Sequence, residues 1–378
     1  MLKKGVLQED TGSGRISGRV TLGKKIMKKE IEIDGKLIGE GHPVYTVAEL
    51  SANHLHDLNR AKEIIAAAAS AGADAVKLQT YRPDTLTLDC HTDEFLATPG
   101  SPWEGQNLYD LYKEAYTPWE WHGELMDYAK GLGLTCFSSP FDFTSIDFLE
   151  SLNVPAYKIA SFEIMDIPLI RKAAETGKPI IISTGIAGIR DIQLALDTCR
   201  EAGNDRVILL KCVSEYPTPY HEINLATIPN MKDTFGCPVG LSDHSMGSCV
   251  PVAAVTLGAC MVEKHLTLKR SDGGPDGSFS MEPDEFGSMV TDLKNAGAAL
   301  GNVSYELTER QKKSRERGRS LYISKDVKKG EIFTAENVKS VRPGYGLPPK
   351  YYDTILGRKA TRDLKTGDAL KWEYISNL

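Results

Sequence analysis

The polar residues that invite a chemical reading sit at the ends of otherwise apolar runs. Residues 44–50 carry Glu49, 75–80 carry Lys77 and Gln79, 134–138 end at Ser138 and Ser139, and 156–160 carry Lys158 and lead to Ser161. Residues 179–184 end in Ser183, Thr184 and Gly185, and 207–213 carry Lys211 and precede Ser214 and Tyr216. Residues 238–242 run into Asp243 and His244, and 259–265 hold Glu263, Lys264 and His265. A charge within a buried strand is costly unless it is paired or used. Packing alone does not call for one at nearly every carboxyl end. Side chains two apart on a strand share a face, so Lys77 points with Gln79, Ser242 with His244, and Glu263 with His265.

Several chemistries fit these types. His244 and His265 end neighbouring runs, and two imidazoles can share one divalent ion while leaving positions open for substrate and water. Manganese, cobalt or magnesium suit such a set; taken singly, each histidine reads as a hydrogen-bonded core residue. Lys77 and Lys158 can hold the phosphate and carboxylate of an anionic substrate. Alternatively, one of them forms a Schiff base through a depressed pKa, or each simply pairs with a barrel glutamate. Ser161, Ser183 and Thr184 with Gly185 offer hydroxyl and backbone donors to a phosphate, or serve only as caps. Glu49 can act as general acid/base or anchor a hydroxyl. His54 and His56 have the spacing of a helix start and read as polar surface, outside the metal set.

The elements that must position these groups follow a regular rhythm. The eight apolar runs alternate with amphipathic stretches at 58–71, 118–132, 143–152, 167–176, 189–202, 225–231, 250–257 and 283–300. Eight βα units in series predict an α/β fold, a closed (β/α)8 TIM barrel, with its site at the carboxyl ends of the strands. A hairpin over 30–38, turning at Asp34-Gly35, precedes it. The stretch 81–117 is long for a connection and reads as a lid. The barrel domain is placed at 27–301 and a charged linker at 302–318. A small β-rich domain follows at 319–378, where Asp326-Val-Lys-Lys-Gly-Glu331 is echoed by Asp363-Leu-Lys-Thr-Gly-Asp368. Residues 1–26 are Gly/Ser-rich and basic without an apolar core, so they are expected to be a disordered extension and not a secretory signal.

Net charge is −6, from 45 basic and 51 acidic residues, which argues against a nucleic-acid surface. The seven cysteines form no CxxC pair and are expected as reduced thiols, mostly in the core, of a cytoplasmic protein. No apolar run approaches the roughly 18–20 residues of a membrane span. The first βα turn carries no glycine-rich dinucleotide loop.

Taken together, the runs 48–54, 72–80, 157–161, 182–185, 240–244 and 263–267 resemble the sialic acid synthase family, with coverage from about Met27 to the C-terminus. Within it, 39–43, 116–122, 136–142 and 273–280 are most like the branch that uses a 2,4-diacetamido-2,4,6-trideoxy-altrose. Ala52, where many relatives have glycine, and Pro275 depart from that pattern. The resemblance implies condensation of phosphoenolpyruvate with an acetamido sugar, and a terminal antifreeze-like (SAF) domain. It implies that His244 and His265 hold manganese, and that Lys77, Ser139, Lys158, Ser161, Ser183, Ser214 and Ser242 hold phosphoenolpyruvate. Glu49, Gln79, Tyr216 and Asp276 would orient the sugar, and Arg319 would reach a barrel across a domain-swapped homodimer. Synthases for other nonulosonic acids are the near alternatives. A Schiff-base aldolase, a metal-dependent hydrolase and a non-enzymatic carbohydrate-binding protein are further ones.

Overall fold

Asp34 and Gly35 both take positive φ, 49° and 78°, as a two-residue hairpin turn requires. They join β1 (Glu30–Ile33) to β2 (Lys36–Gly39). The apolar runs that follow are short and buried on both faces, the signature of parallel strands. In the computed structural model, which describes residues 27–376, they are β3 (Tyr45–Glu49), β4 (Ala75–Thr80), β5 (Thr135–Pro140) and β6 (Tyr157–Ile159). Then come β7 (Ile180–Ser183), β8 (Val207–Lys211), β9 (Val239–Asp243) and β10 (Met261–His265). Neighbours pair in parallel and β10 returns to β3, closing an eight-stranded barrel. The extension expected at 1–26 lies outside the described residues.

The hairpin closes one end of this barrel. Ile31, Ile33 and Ile38 are buried among Tyr45, Val47, Phe137, Ile181 and Leu210 of the interior, each contributing about 1.5–3 kcal/mol of apolar burial. Polar contacts seat it: Lys36 donates to Asp74 at 2.9 Å and Thr135 to Asp34 at 3.2 Å. Because Asp74 and Thr135 lie at the amino ends of β4 and β5, the hairpin shuts that end and leaves the carboxyl ends as the mouth.

Helices follow the strands where periodicity places them. Asp57 caps Leu58–Ser70 by accepting from Asn59 and Arg60, and Ala61, Ile64, Ile65 and Ala68 form its buried stripe, the spacing of one helical face. The helix expected over 225–231 instead spans Thr227–Phe235, ending at Gly236 with φ 65°; Leu225 packs on the core ahead of it. The long stretch 81–117 folds into Pro83–Leu86, a short 3-10 turn at Asp93–Phe95, and Leu108–Ala115. Among the described residues no helix is long and apolar enough to cross a membrane.

A second compact unit begins at Asn302. The stretch expected as linker contains a helix, Glu309–Arg315, capped by Thr308. Beyond it β11 (Ser320–Ile323) pairs antiparallel with β12 (Val338–Val341), over a core that includes Leu321, Phe333, Ile355 and Leu370. The echoed motifs pair with each other: Val327 and Leu364 exchange both backbone bonds, at 2.9 and 2.8 Å. Asp326 accepts from Thr366 N at 2.9 Å, and Asp363 accepts from Lys329 N at 2.8 Å. Within each turn the motif's last acid accepts from a lysine N–H, Glu331 from Lys328 and Asp368 from Lys365.

Candidate active site

Parallel register sets the polar strand ends side by side. Glu49 pairs with Lys77 across β3 and β4, His265 with Glu49 across β10 and β3, and Glu263 with Ser242 across β10 and β9. Alternation then sorts β10: Glu263 and His265 face a cavity of about 930 Å³, whereas Lys264 points away and pairs with Asp243 at 2.5 Å. Lys77, Gln79, Lys158, Ser161, Ser183, Ser214, Tyr216, Ser242, His244 and Asp276 also line that cavity. Thirteen expected site residues belong to the barrel unit, and ten of these with His265 therefore meet in one space. Glu49 and Ser139 lie behind Lys77, out of the lining.

The charges are interlocked. Lys77 Nζ stands 2.7 Å from Glu49 Oε2 and 3.1 Å from Glu263 Oε1, and Lys158 Nζ stands 3.7 Å from the same Glu263 oxygen. Burial opposes the Lys77 charge, but Glu263 and Glu49 outweigh it and hold its pKa above the ordinary value. For Lys158, burial dominates and Lys77 adds repulsion, so its pKa is lowered despite Glu263. Burial also raises Glu49 in spite of Lys77, whereas Glu263, between two ammonium groups, is pulled down against its own burial. The other Glu49 oxygen accepts from Ser51 N at 3.0 Å and Gln79 Nε2 at 3.1 Å. Glu49 thus orients Lys77 and Gln79.

Beside the lysines lies a cradle of small groups. Ser161 Oγ accepts from Ser214 Oγ at 2.8 Å and from Ile186 N at 3.1 Å. Ser183 Oγ is buried with no hydrogen-bond partner among the described residues. A Cβ added at Gly185 would fall against Ser214 Oγ and within 2.6 Å of Ser161 Oγ. The backbone is open here because glycine leaves it open, and the hydroxyls of Ser161, Ser183 and Ser214 line the same space.

On the opposite side stand the imidazoles, with ring centroids 5.4 Å apart. His244 Nδ1 pairs with Val213 O at 2.9 Å, and the ring also bonds the Cys212 thiol. His265 Nδ1 is buried without a hydrogen-bond partner and lies 4.0 Å from Asp276 Oδ2. Burial, with His244 and Lys77 adding to it, holds the His265 pKa well below the ordinary value, so its ring is the neutral form that binds metal. The orphaned buried nitrogen of His265 beside His244 suits a divalent cation that takes its remaining ligands from substrate and water, since among the described residues no three His, Cys, Asp or Glu side chains are grouped to hold one. Asp276 is itself held by Ser51 Oγ and Ala52 N, and Tyr216 packs on His244 at 4.3 Å between centroids.

Some residues carried no signal or a misleading one. Glu263 links both lysines yet stands outside the expected site set; its i,i+2 spacing to His265 was the available clue. Cys212 lines the cavity. Burial works against charge on Cys212 and His244, yet each favours the other's charged form, lowering the thiol pKa and raising the imidazole's. Glu163, also in the lining, is raised by burial to about 7. His54, expected at the surface, is buried; it bonds Thr117 Oγ1 at 3.1 Å, and burial lowers its pKa to about 4. His56 is exposed. Arg319 belongs to the second unit, where its guanidinium donates to Ser340 O at 2.7 Å.

A (β/α)8 barrel whose mouth combines paired lysines, a hydroxyl cradle and two imidazoles defines a barrel-enzyme site for an anionic substrate. The chain belongs to the NeuB family, whose model matches residues 64–305, and a SAF domain matches 318–375; this is the sialic acid synthase family. It is 48% identical to the pseudaminic acid synthase of Campylobacter jejuni over 328 residues, 87% of this chain and 95% of that protein. It is 48% identical to the pseudaminic acid synthase of Helicobacter pylori over 334 residues, 88% of this chain and 98% of that protein. Among solved structures, the N-acetylneuraminic acid synthetase of Leptospira borgpetersenii in complex with citrate superposes with a TM-score of 0.68 at 31% identity. That match covers 76% of this chain and 96% of the other.

Proposed function

We propose that the protein is a pseudaminic acid synthase, a transferase that joins phosphoenolpyruvate to 2,4-diacetamido-2,4,6-trideoxy-altrose with water and releases phosphate. One observation carries the chemistry: Lys77, Lys158 and the Ser161–Ser183–Ser214 cradle at Gly185 face the same cavity as His244 and His265. The first group suits a phosphate and a carboxylate on one small molecule, the second a carbonyl to be polarised. The two relatives at 48% identity support the choice of sugar.

Lys77 and Lys158 hold the phosphoenolpyruvate anion, and the hydroxyls with the Gly185 backbone orient its phosphate. Fixing the enol carbon beside the open-chain aldehyde lowers the entropic part of the barrier. A carbon–carbon bond forms from the enol carbon to the aldehyde carbon, whose oxygen takes a proton. Water adds to the carbon bearing phosphate, and phosphate departs with its bridging oxygen as that carbon becomes the product's keto carbon. Fixed cations offset the charge at each stage. A divalent ion on His244 and His265, manganese by the family resemblance, would supply Lewis acidity to the aldehyde. Asp276 and Gln79 hold sugar hydroxyls, and Tyr216 walls the site. Arg319 would complete the site in a domain-swapped homodimer of cytoplasmic location.

The test is phosphate release from phosphoenolpyruvate with manganese and three sugars: the altrose compound, its legionaminic-pathway isomer, and N-acetylmannosamine. Release with the altrose sugar alone, lost on chelation, is the expected result. Release with another sugar alone refutes the substrate, and none with any sugar refutes the synthase. A second reading, a Schiff-base aldolase, draws on the lowered Lys158 pKa. It requires borohydride to trap a carbonyl substrate on that lysine, with no effect of chelation.

A further inference from the structure

The cavity has two unlike walls. The strand ends give it Lys77, Lys158, Glu263, His244 and His265, whereas the stretch from Leu86 to Ala115 contributes a lining in which Glu94 is the sole charged residue. That second wall presents Leu96, Pro102, Trp103, Leu108 and Leu111, with Thr98 and Ser101 on the segment between Leu96 and Trp103. Its shape is built. Leu96 bridges to Asn107 as an antiparallel pair, Ala97 N donates to Gln106 O at 2.8 Å, and Asn107 donates to Cys90 O at 2.7 Å. Trp103 is tied across the mouth, its indole N–H donating to Pro275 O at 2.8 Å. Its ring meets Tyr216 at 5.6 Å and Phe279 at 6.3 Å between centroids. Leu96, in the lining, is 39% exposed; such apolar surface beside a cavity marks a ligand-facing wall.

We propose that this wall, centred on Trp103 and Leu96, determines specificity by covering the apolar substituents of the sugar: the C4 acetamido methyl and the C6 methyl. The inference rests on the synthase reading and says which end of the substrate the stretch 86–115 reads. Phosphoenolpyruvate, small and anionic, belongs to the opposite wall and is indifferent to this one. A sugar with hydroxyls at C4 and C6 loses both apolar contacts, and that loss is the discrimination this wall supplies.

The experiment compares 2,4-diacetamido-2,4,6-trideoxy-altrose with 2-acetamido-2-deoxy-altrose, of the same stereochemistry but with hydroxyls at C4 and C6. Wild type, Trp103→Ala, Trp103→Phe and Leu96→Ser are assayed for kcat and for KM of sugar and of phosphoenolpyruvate. With about fourfold per methyl withdrawn from apolar contact, Trp103→Ala and Leu96→Ser are expected to narrow the kcat/KM ratio between the sugars roughly tenfold. The loss should fall on the diacetamido sugar, with the phosphoenolpyruvate KM unchanged. Trp103→Phe keeps the apolar face and is expected to keep the ratio within about threefold of wild type. Leu96, being partly exposed, can change without unfolding the barrel. An unaltered ratio in both Trp103→Ala and Leu96→Ser, or an equal rise in the phosphoenolpyruvate KM, overturns the proposal while leaving the synthase intact. Wild type that turns over neither sugar overturns both.

Discussion

Lys77 and Lys158 look alike in sequence, but their removal should have unlike consequences. At an effective dielectric near 20, Lys77 at 2.7 and 3.1 Å from Glu49 and Glu263 gains about 6 and 5 kcal/mol of Coulomb energy before desolvation. Lys158, at 3.7 Å from Glu263, gains about 4.5 kcal/mol and is repelled by Lys77. Lys77→Met strands Glu49 and leaves Glu263 only its weaker partner, in a cluster where every member is at most 5% exposed. Breaking a buried pair from one side costs about 3–5 kcal/mol. Lys158→Met leaves Glu263 with Lys77 and removes an ammonium whose burial already disfavours it, so its cost should stay below about 2 kcal/mol. Urea unfolding at neutral pH reads the difference as a shift in midpoint at constant slope. Both variants should fail to release phosphate, which separates the stability effect from the shared loss of substrate binding. A Lys158→Met midpoint as low as that of Lys77→Met, or a wild-type midpoint for Lys77→Met, would refute the assignment of Lys77 as the hub.

Four further outcomes follow from the geometry. Gly185→Ala should abolish phosphate release, because its Cβ intrudes on the Ser161–Ser214 cradle; normal turnover would remove that cradle from the site. Chelation should abolish activity and manganese restore it, and His265→Ala should lower metal content in the isolated protein, read by elemental analysis. Glu163 has a folded-state pKa of about 7 against an ordinary 4.5, so the native state holds a proton that the unfolded chain has lost. Its contribution is therefore fully present below pH 4.5 and is lost as pH rises to about 7, and Glu163→Gln should flatten that portion of the wild-type stability profile. Finally, if Arg319 serves a partner's barrel, mixing inactive Arg319→Ala and His265→Ala chains under exchange conditions should recover activity, and failure to do so counts against the swapped arrangement.

Much of the barrel was legible because each strand is a short apolar run ended by a polar residue, and burial on both faces imposes that pattern whatever the chemistry. The site was legible for the same reason: β-strand alternation at the carboxyl end dictates that Lys77 and Gln79, or Glu263 and His265, share a face. The pairings between strands were less visible. That Glu263 serves Lys77 and Lys158 together depends on closure of β10 onto β3, and local sequence carries no mark of it. His54 misled because its partner Thr117 lies 63 residues away, so spacing suggests a surface helix start where the chain turns inward. The wall over 86–115 was recognisable only as an overlong connection; its apolar side chains lack periodicity until the hairpin-like pairing of Leu96 with Asn107 aligns them.

The reciprocal turns of the second unit carry an implication for ancestry. Each copy of the motif supplies the aspartate that the other copy's turn needs, and each supplies one residue of the antiparallel bridge between Val327 and Leu364. A half-length chain bearing a single copy would be self-complementary, since two such chains could exchange the same bonds about a twofold axis. The unit has the internal logic of a homodimer whose halves have been joined end to end, and fusion makes an equimolar supply of both halves automatic.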